Sequence, residues 1–95
     1  MIQVRVKLSE PLWRVVGKRE INVALDTLAA TVADVLTKLA EQPGFREAYD
    51  AHAAGVGMPY ALFLDDKAIP EAAVTETRIH DGQTLRIFLP IAGGG

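Results

Sequence analysis

Leu85-Arg86-Ile87-Phe88-Leu89-Pro90-Ile91-Ala92-Gly93-Gly94-Gly95 is the stretch from which the rest of the chain is read. Leu85, Ile87 and Leu89 alternate with Arg86 and Phe88, the period-2 pattern of a half-buried strand. Pro90 has no N–H for a ladder, so pairing is expected to weaken or stop there. Three glycines follow, which have nothing to bury and the most backbone freedom to lose, so residues 91–95 read as a flexible tail. Extended, 90–95 reaches roughly 20 Å past the strand. Arg86 is the last ionisable side chain. Such a stalk enters a narrow channel without stranding a buried charge or colliding through a Cβ. Taken alone, a glycine run reads more readily as an inert terminus.

Upstream, Ile2, Val4, Val6 and Leu8 alternate with Gln3, Arg5 and Lys7, a strand with one dry and one wet face. Leu12 to Val16 reads as a short helical turn closed by Gly17. Trp13 within it folds over the core edge or, less commonly for such a Trp, faces a partner. Lys18 to Leu25 is a second strand, with Ile21, Val23 and Leu25 inward, and the two strands suggest a hairpin. Thr31 to Glu41 is the main helix: Thr31 and Asp34 have capping-box spacing, and Val32, Val35, Leu36 and Leu39 form one apolar stripe. Pro43-Gly44 is expected to end it. Phe45 to Ala51 reads as a second short helix, and residues 53–58, with Gly55 and Gly57, as a loop. Tyr60 to Leu64 is a third strand, Asp65-Asp66-Lys67 a turn, and Ala68-Ile69 a short edge strand. Glu71 to His80 reads as irregular, plugged into the core by Val74 and Ile79, before an Asp81-Gly82 turn.

A helix with one apolar stripe covers one face of a sheet. Two strands before it and the others after it fit an α+β fold, a mixed sheet wrapped around one main helix. The first and last strands then lie side by side, parallel, with the helix in the crossover. This is the ubiquitin-like β-grasp arrangement, with a domain over 1–90 and a tail over 91–95.

Composition narrows the function. Ninety-five residues suit one domain. The net charge of −2 offers no electrostatic footprint for nucleic acid and little attraction to an anionic membrane. No apolar run approaches the length of a membrane span, and no leader pattern precedes Val4, which points to a cytoplasmic protein. Without Cys there are no disulfides, thiolate metal sites or cysteine nucleophile. His52 and His80 have no ligand set around them, Asp65-Asp66 reads as a turn, and no bound cofactor or metal is expected.

The residues Ile79-His80-Asp81-Gly82-Gln83, the strand Leu85 to Leu89, and Pro90-Ile91-Ala92-Gly93-Gly94 together resemble the ubiquitin-like sulfur carriers. That group, MoaD/ThiS, includes the small subunit of molybdopterin synthase and the thiamin sulfur carrier. Gly17-Lys18-Arg19-Glu20 leading into the second strand and Thr31-Val32 opening the helix extend the likeness over nearly the whole chain. Three glycines stand where the family has two. Counting from Pro-x-Ala makes Gly93 and Gly94 the pair, and counting from the end makes it Gly94 and Gly95. The segment from Gln42 to Met58 is longer than in the smallest members, which disfavours the thiamin type.

The resemblance implies a carrier and not an enzyme. A terminal carboxylate, with a pKa of about 3.3–3.7, is an anion at neutral pH and a poor electrophile, so it must be activated. In the family an E1-like adenylating enzyme does this with ATP, and sulfur transfer then gives a C-terminal thiocarboxylate at the last glycine. Gly95 is the expected attachment point, or Gly94 if the end is processed. The implied partners are that enzyme and a sulfur-accepting synthase large subunit, with molybdenum cofactor biosynthesis as the expected destination. Thiamin, cysteine or tRNA thiolation, or conjugation to proteins as a modifier, are the alternatives. Phe88 and Arg86, outward beside the tail root, are expected to form part of the docking surface. Equally, Phe88 packs beneath the long middle segment.

Overall fold

A computed structural model of the chain describes residues 1–10, 12–51 and 60–88. The element order is β1 (Ile2–Leu8), α1 (Leu12–Val16), β2 (Glu20–Leu25), β3 (Ala30–Thr31), α2 (Val32–Leu39) and α3 (Phe45–Ala51). Then come β4 (Ala61–Leu64), β5 (Lys67–Ile69), a 3-10 turn (Glu71–Ala73), β6 (Arg78–Ile79) and β7 (Thr84–Phe88). Five strands form one sheet in the order β2-β1-β7-β4-β5, and β3 pairs with β6 apart from it. β1 and β7 are parallel neighbours at the centre, and the other pairs are antiparallel. This is the mixed β-grasp sheet expected from the sequence.

Alternation decides which face is dry. Val4, Val6, Leu85 and Ile87 are almost wholly buried, and Leu62, Leu64, Ile21 and Val23 join them from the flanking strands. α2 lies on that face with Val32, Val35 and Leu39 buried, each contributing about 1.5–3 kcal/mol through apolar burial. The capping box forms as the spacing predicts. Asp34 N–H donates to Thr31 Oγ1 at 3.4 Å, and Thr31 N–H donates back to Asp34 Oδ2 at 2.8 Å.

Several boundaries differ from the expectation. α2 stops at Leu39, ahead of Pro43: Glu41 N–H turns back to the Lys38 carbonyl and Gln42 N–H to that of Leu39, tightening the last turn. β2 begins at Glu20, not Lys18, and Leu25 at its end is only half-buried. Glu71 to His80 is more ordered than it reads. It holds the 3-10 turn and β6, whose pairing with Ala30–Thr31 fastens the entry of α2. Two-residue strands carry no periodicity to detect, so only the tertiary pairing reveals them. Ile79 is a buried plug as expected, while Val74 is only partly covered.

The Asp81-Gly82 turn has a further structural role. Asp81 Oδ1 accepts from Gln3 N–H at 2.7 Å, Gly82 N–H donates to the Gln3 carbonyl at 2.8 Å, and Arg5 N–H donates to the Gln83 carbonyl at 3.0 Å. These bonds sew the start of β7 onto β1 and set the parallel register. Gly82 sits at φ +89°, a left-handed geometry that only glycine adopts cheaply.

Candidate functional site

The parallel β1–β7 pair sets where the chain leaves the body. β7 ends beside the end of β1, and Ser9 N–H donates to the Ile87 carbonyl at 3.1 Å. The tail root therefore emerges between the two central neighbours of β7, not from a sheet edge. Leu89 and the expected tail residues Pro90, Ile91, Ala92, Gly93, Gly94 and Gly95 lie outside the described residues.

Phe88 is at the root, on the outer face away from α2, and 38% exposed. Arg86 shares that face and is half-buried, opposite Lys7 on β1 and Phe63 on β4. The rings of Phe88 and Phe63 lie 5.9 Å apart, tilted by 47°. Phe63 is the residue that sequence reading missed. In β4 it alternates with buried Leu62 and Leu64, and the β4–β7 register brings it to Phe88. Of the long middle segment, the alternative cover for Phe88, residues 42–51 are described, with Phe45 and Tyr49 stacked toward Tyr60, and residues 52–58 lie outside the described residues. Phe63 supplies the partial cover that is seen.

The outer face is also cationic. Arg5 is paired with Glu20, Nε to Oε2 3.4 Å, an exposed contact worth little energetically. Lys7 and Arg86 stand side by side with no ion pair among the described residues. Trp13 folds over the core edge as expected, with the guanidinium of Arg19 4.5 Å and that of Arg14 5.3 Å from its ring centre. Asp65 is a turn residue: it takes φ 55°, accepts from Thr84 N–H at 3.1 Å and from Gln83 Nε2 at 3.1 Å. Among the described residues no set of three His, Asp or Glu could hold a metal. Among the described residues no helix is long and apolar enough to cross a membrane.

On the opposite side, Phe45, Tyr49 and Tyr60 stack at 5.7 and 5.4 Å. Burial, and then the charges of Glu71 and Asp50, push the Tyr49 phenol above its ordinary value. Burial, and then Tyr49, do the same for Tyr60. Both phenols hold their protons more tightly folded than unfolded. Their contribution is thus complete below the unfolded phenol pKa of about 10 and is lost as pH rises through the folded values. Thermal melts are expected to fall above about pH 10, and Tyr49→Phe to shallow that fall. Equal alkaline slopes for the two proteins would remove this account.

The model of the ThiS family matches residues 6–94. The chain belongs to the ThiS family. It is therefore a non-catalytic carrier, either a sulfur carrier of the MoaD/ThiS kind or a small modifier akin to SAMP1. No curated protein matches the chain. Among solved structures, SAMP1 of Haloferax volcanii is similar with 27% identity and a TM-score of 0.68, covering 97% of this chain and 99% of that one. The putative molybdopterin converting factor subunit 1 of Pyrococcus furiosus shares the fold at a TM-score of 0.73 and 15% identity, covering 96% and 100%. The complex of subunits 1 and 2 of the Helicobacter pylori molybdopterin-converting factor is similar at 0.58 and 17%, covering 98% and 100%.

Proposed function

We propose that the last glycine of this carrier is adenylated by an E1-like enzyme and converted to a thiocarboxylate that donates sulfur, with molybdopterin synthesis as the destination. The observation that carries the reading is the family match running through residue 94, which brings Pro90-Ile91-Ala92-Gly93-Gly94 inside the matched pattern. In the chemistry, a terminal carboxylate oxygen attacks the α-phosphorus of ATP and pyrophosphate leaves. The outer sulfur of a persulfide held by a partner then attacks the acyl carbon and AMP leaves. A second thiol of the partner attacks the inner sulfur, closing a disulfide on the partner and leaving the thiocarboxylate on the glycine. With no Cys in the chain, the terminal carboxyl is the one place where sulfur attaches.

The globule, residues 1–90, acts as the handle, and 91–95 as the stalk. Phe88, Phe63 and Arg86 form the docking face at the root of the stalk. The large-subunit partner is favoured by the fold shared with subunit 1 of the Helicobacter pylori complex, which is seen with its subunit 2. A second reading, conjugation to protein lysines, is favoured by the likeness to SAMP1.

Intact mass of the protein purified from its native cell separates the two. Exchange of one oxygen for sulfur supports the carrier, and a ladder of larger conjugates supports the modifier. Neither product would sink both. For docking, Phe88→Ala is expected to weaken binding to the activating enzyme by about 2 kcal/mol, roughly 30-fold, as expected of a central aromatic anchor. If folded Phe88→Ala is adenylated normally, the docking face lies elsewhere.

A further inference from the structure

The five-stranded sheet has two edges, and they are unequal. β5 is three residues long and runs into Pro70, which blunts it. β2 is six residues long, with neither Pro nor Lys within it. Leu8 N–H donates to the Arg19 carbonyl at 2.8 Å, and antiparallel ladders alternate. Arg19, Ile21, Val23 and Leu25 therefore turn their backbone groups toward β1. Glu20, Asn22 and Ala24 turn theirs to the open side, where the described residues offer them no partner.

We propose that this edge is completed by a second copy of the chain, the two β2 strands pairing antiparallel about Asn22. The phase of the outward hydrogen bonds requires even-numbered residues to face even-numbered ones, which also keeps dry faces together. Pairing about Val23 sets Glu20 against Asp26, like against like. Pairing about Ile21 leaves Asp26 without a cation. Pairing about Asn22 sets Lys18 against Asp26 at both ends, Glu20 against Ala24, and buried Ile21 against buried Val23. Lys18 and Asp26 are exposed and make no ion pair among the described residues, so both are available.

The result is an isologous dimer with a continuous ten-stranded sheet, doubling the order β2-β1-β7-β4-β5 about a two-fold axis. Both Phe63–Phe88 faces lie on the same side and stay open. The pairing is independent of the terminal chemistry. A strand-edge contact buries less than a standard interface, so the association is weak and depends on concentration.

Sedimentation equilibrium of the full chain across a dilution series is expected to show monomer passing to dimer. Lys18→Asp should weaken the dimer by about fivefold through two exposed ion pairs, and Lys18→Asp with Asp26→Lys should restore it. Asn22→Pro removes an outward N–H and no β1–β2 bond, so it should abolish the dimer with the monomer fold kept. In a mixed-label sample, Ile21 Hα of one copy should contact Val23 Hα of the other. A monomer at every concentration overturns the proposal. So does a dimer that lacks the Ile21–Val23 contact and ignores the charge swap. If Asn22→Pro fails to fold, the charge swap and the cross-copy contact decide the matter.

Discussion

A chain extended by one residue beyond Gly95 is expected to lose adenylation and sulfur loading altogether, with its melting temperature unchanged. The loss follows from the atom involved. Once Gly95 is amidated, its carbonyl oxygen is neutral and no longer attacks phosphorus. The new carboxylate sits one residue further out, on a residue with a side chain where the last three positions of the stalk have none. Stability should hold because the bonds that seat β7, from Ser9 to Ile87 and from Arg5 to Gln83, lie well before the tail. Intact mass after incubation with ATP and the activating enzyme reads the outcome. Undiminished function of the extended chain in its native cell would discard terminal chemistry and leave a β-grasp binding module with an inert tail.

Ile87→Ala should produce the largest loss of stability. Ile87 is fully buried on the central strand, opposite Leu8 on one side and Leu62 on the other. Removing its outer carbons forfeits their burial and leaves a cavity between strands that cannot close without shifting the sheet. The expected cost is about 2–5 kcal/mol. Whole-domain stability is typically about 5–15 kcal/mol, so the variant should lose a large share of it. Denaturant unfolding measures it, with Phe88→Ala on the opposite face as the comparison. If both variants lose the same small amount, the assignment of dry and wet faces is wrong.

The contrast between Ile87 and Phe88 shows how much the sequence could carry. Neighbours in a strand point to opposite faces, so alternation alone separates the core from the docking face. The same rule applies to Phe63 between Leu62 and Leu64, but it does not say which residue Phe63 meets. That contact depends on β4 pairing with β7, a long-range choice made by the whole sheet. Glu71 to His80 fails for a related reason. Its β6 is two residues long, shorter than any period, and is held by Ala30–Thr31 from the far side of α2. The end of α2 was misplaced because Pro43 is the visible stop signal, while the backbone had already tightened into turns before reaching it.

By itself the sequence determined the dry and wet faces of the strands, the capped amphipathic helix, the missing thiol and the side-chain-free end. Each depends on residue type and near-neighbour spacing. Only the tertiary structure decided that Phe63 joins Phe88 and Arg86, that β5 is blunted while β2 stays open, and that Asp81 holds Gln3. These are meetings between residues far apart in the chain, and they follow from satisfying every buried backbone group and apolar face at once.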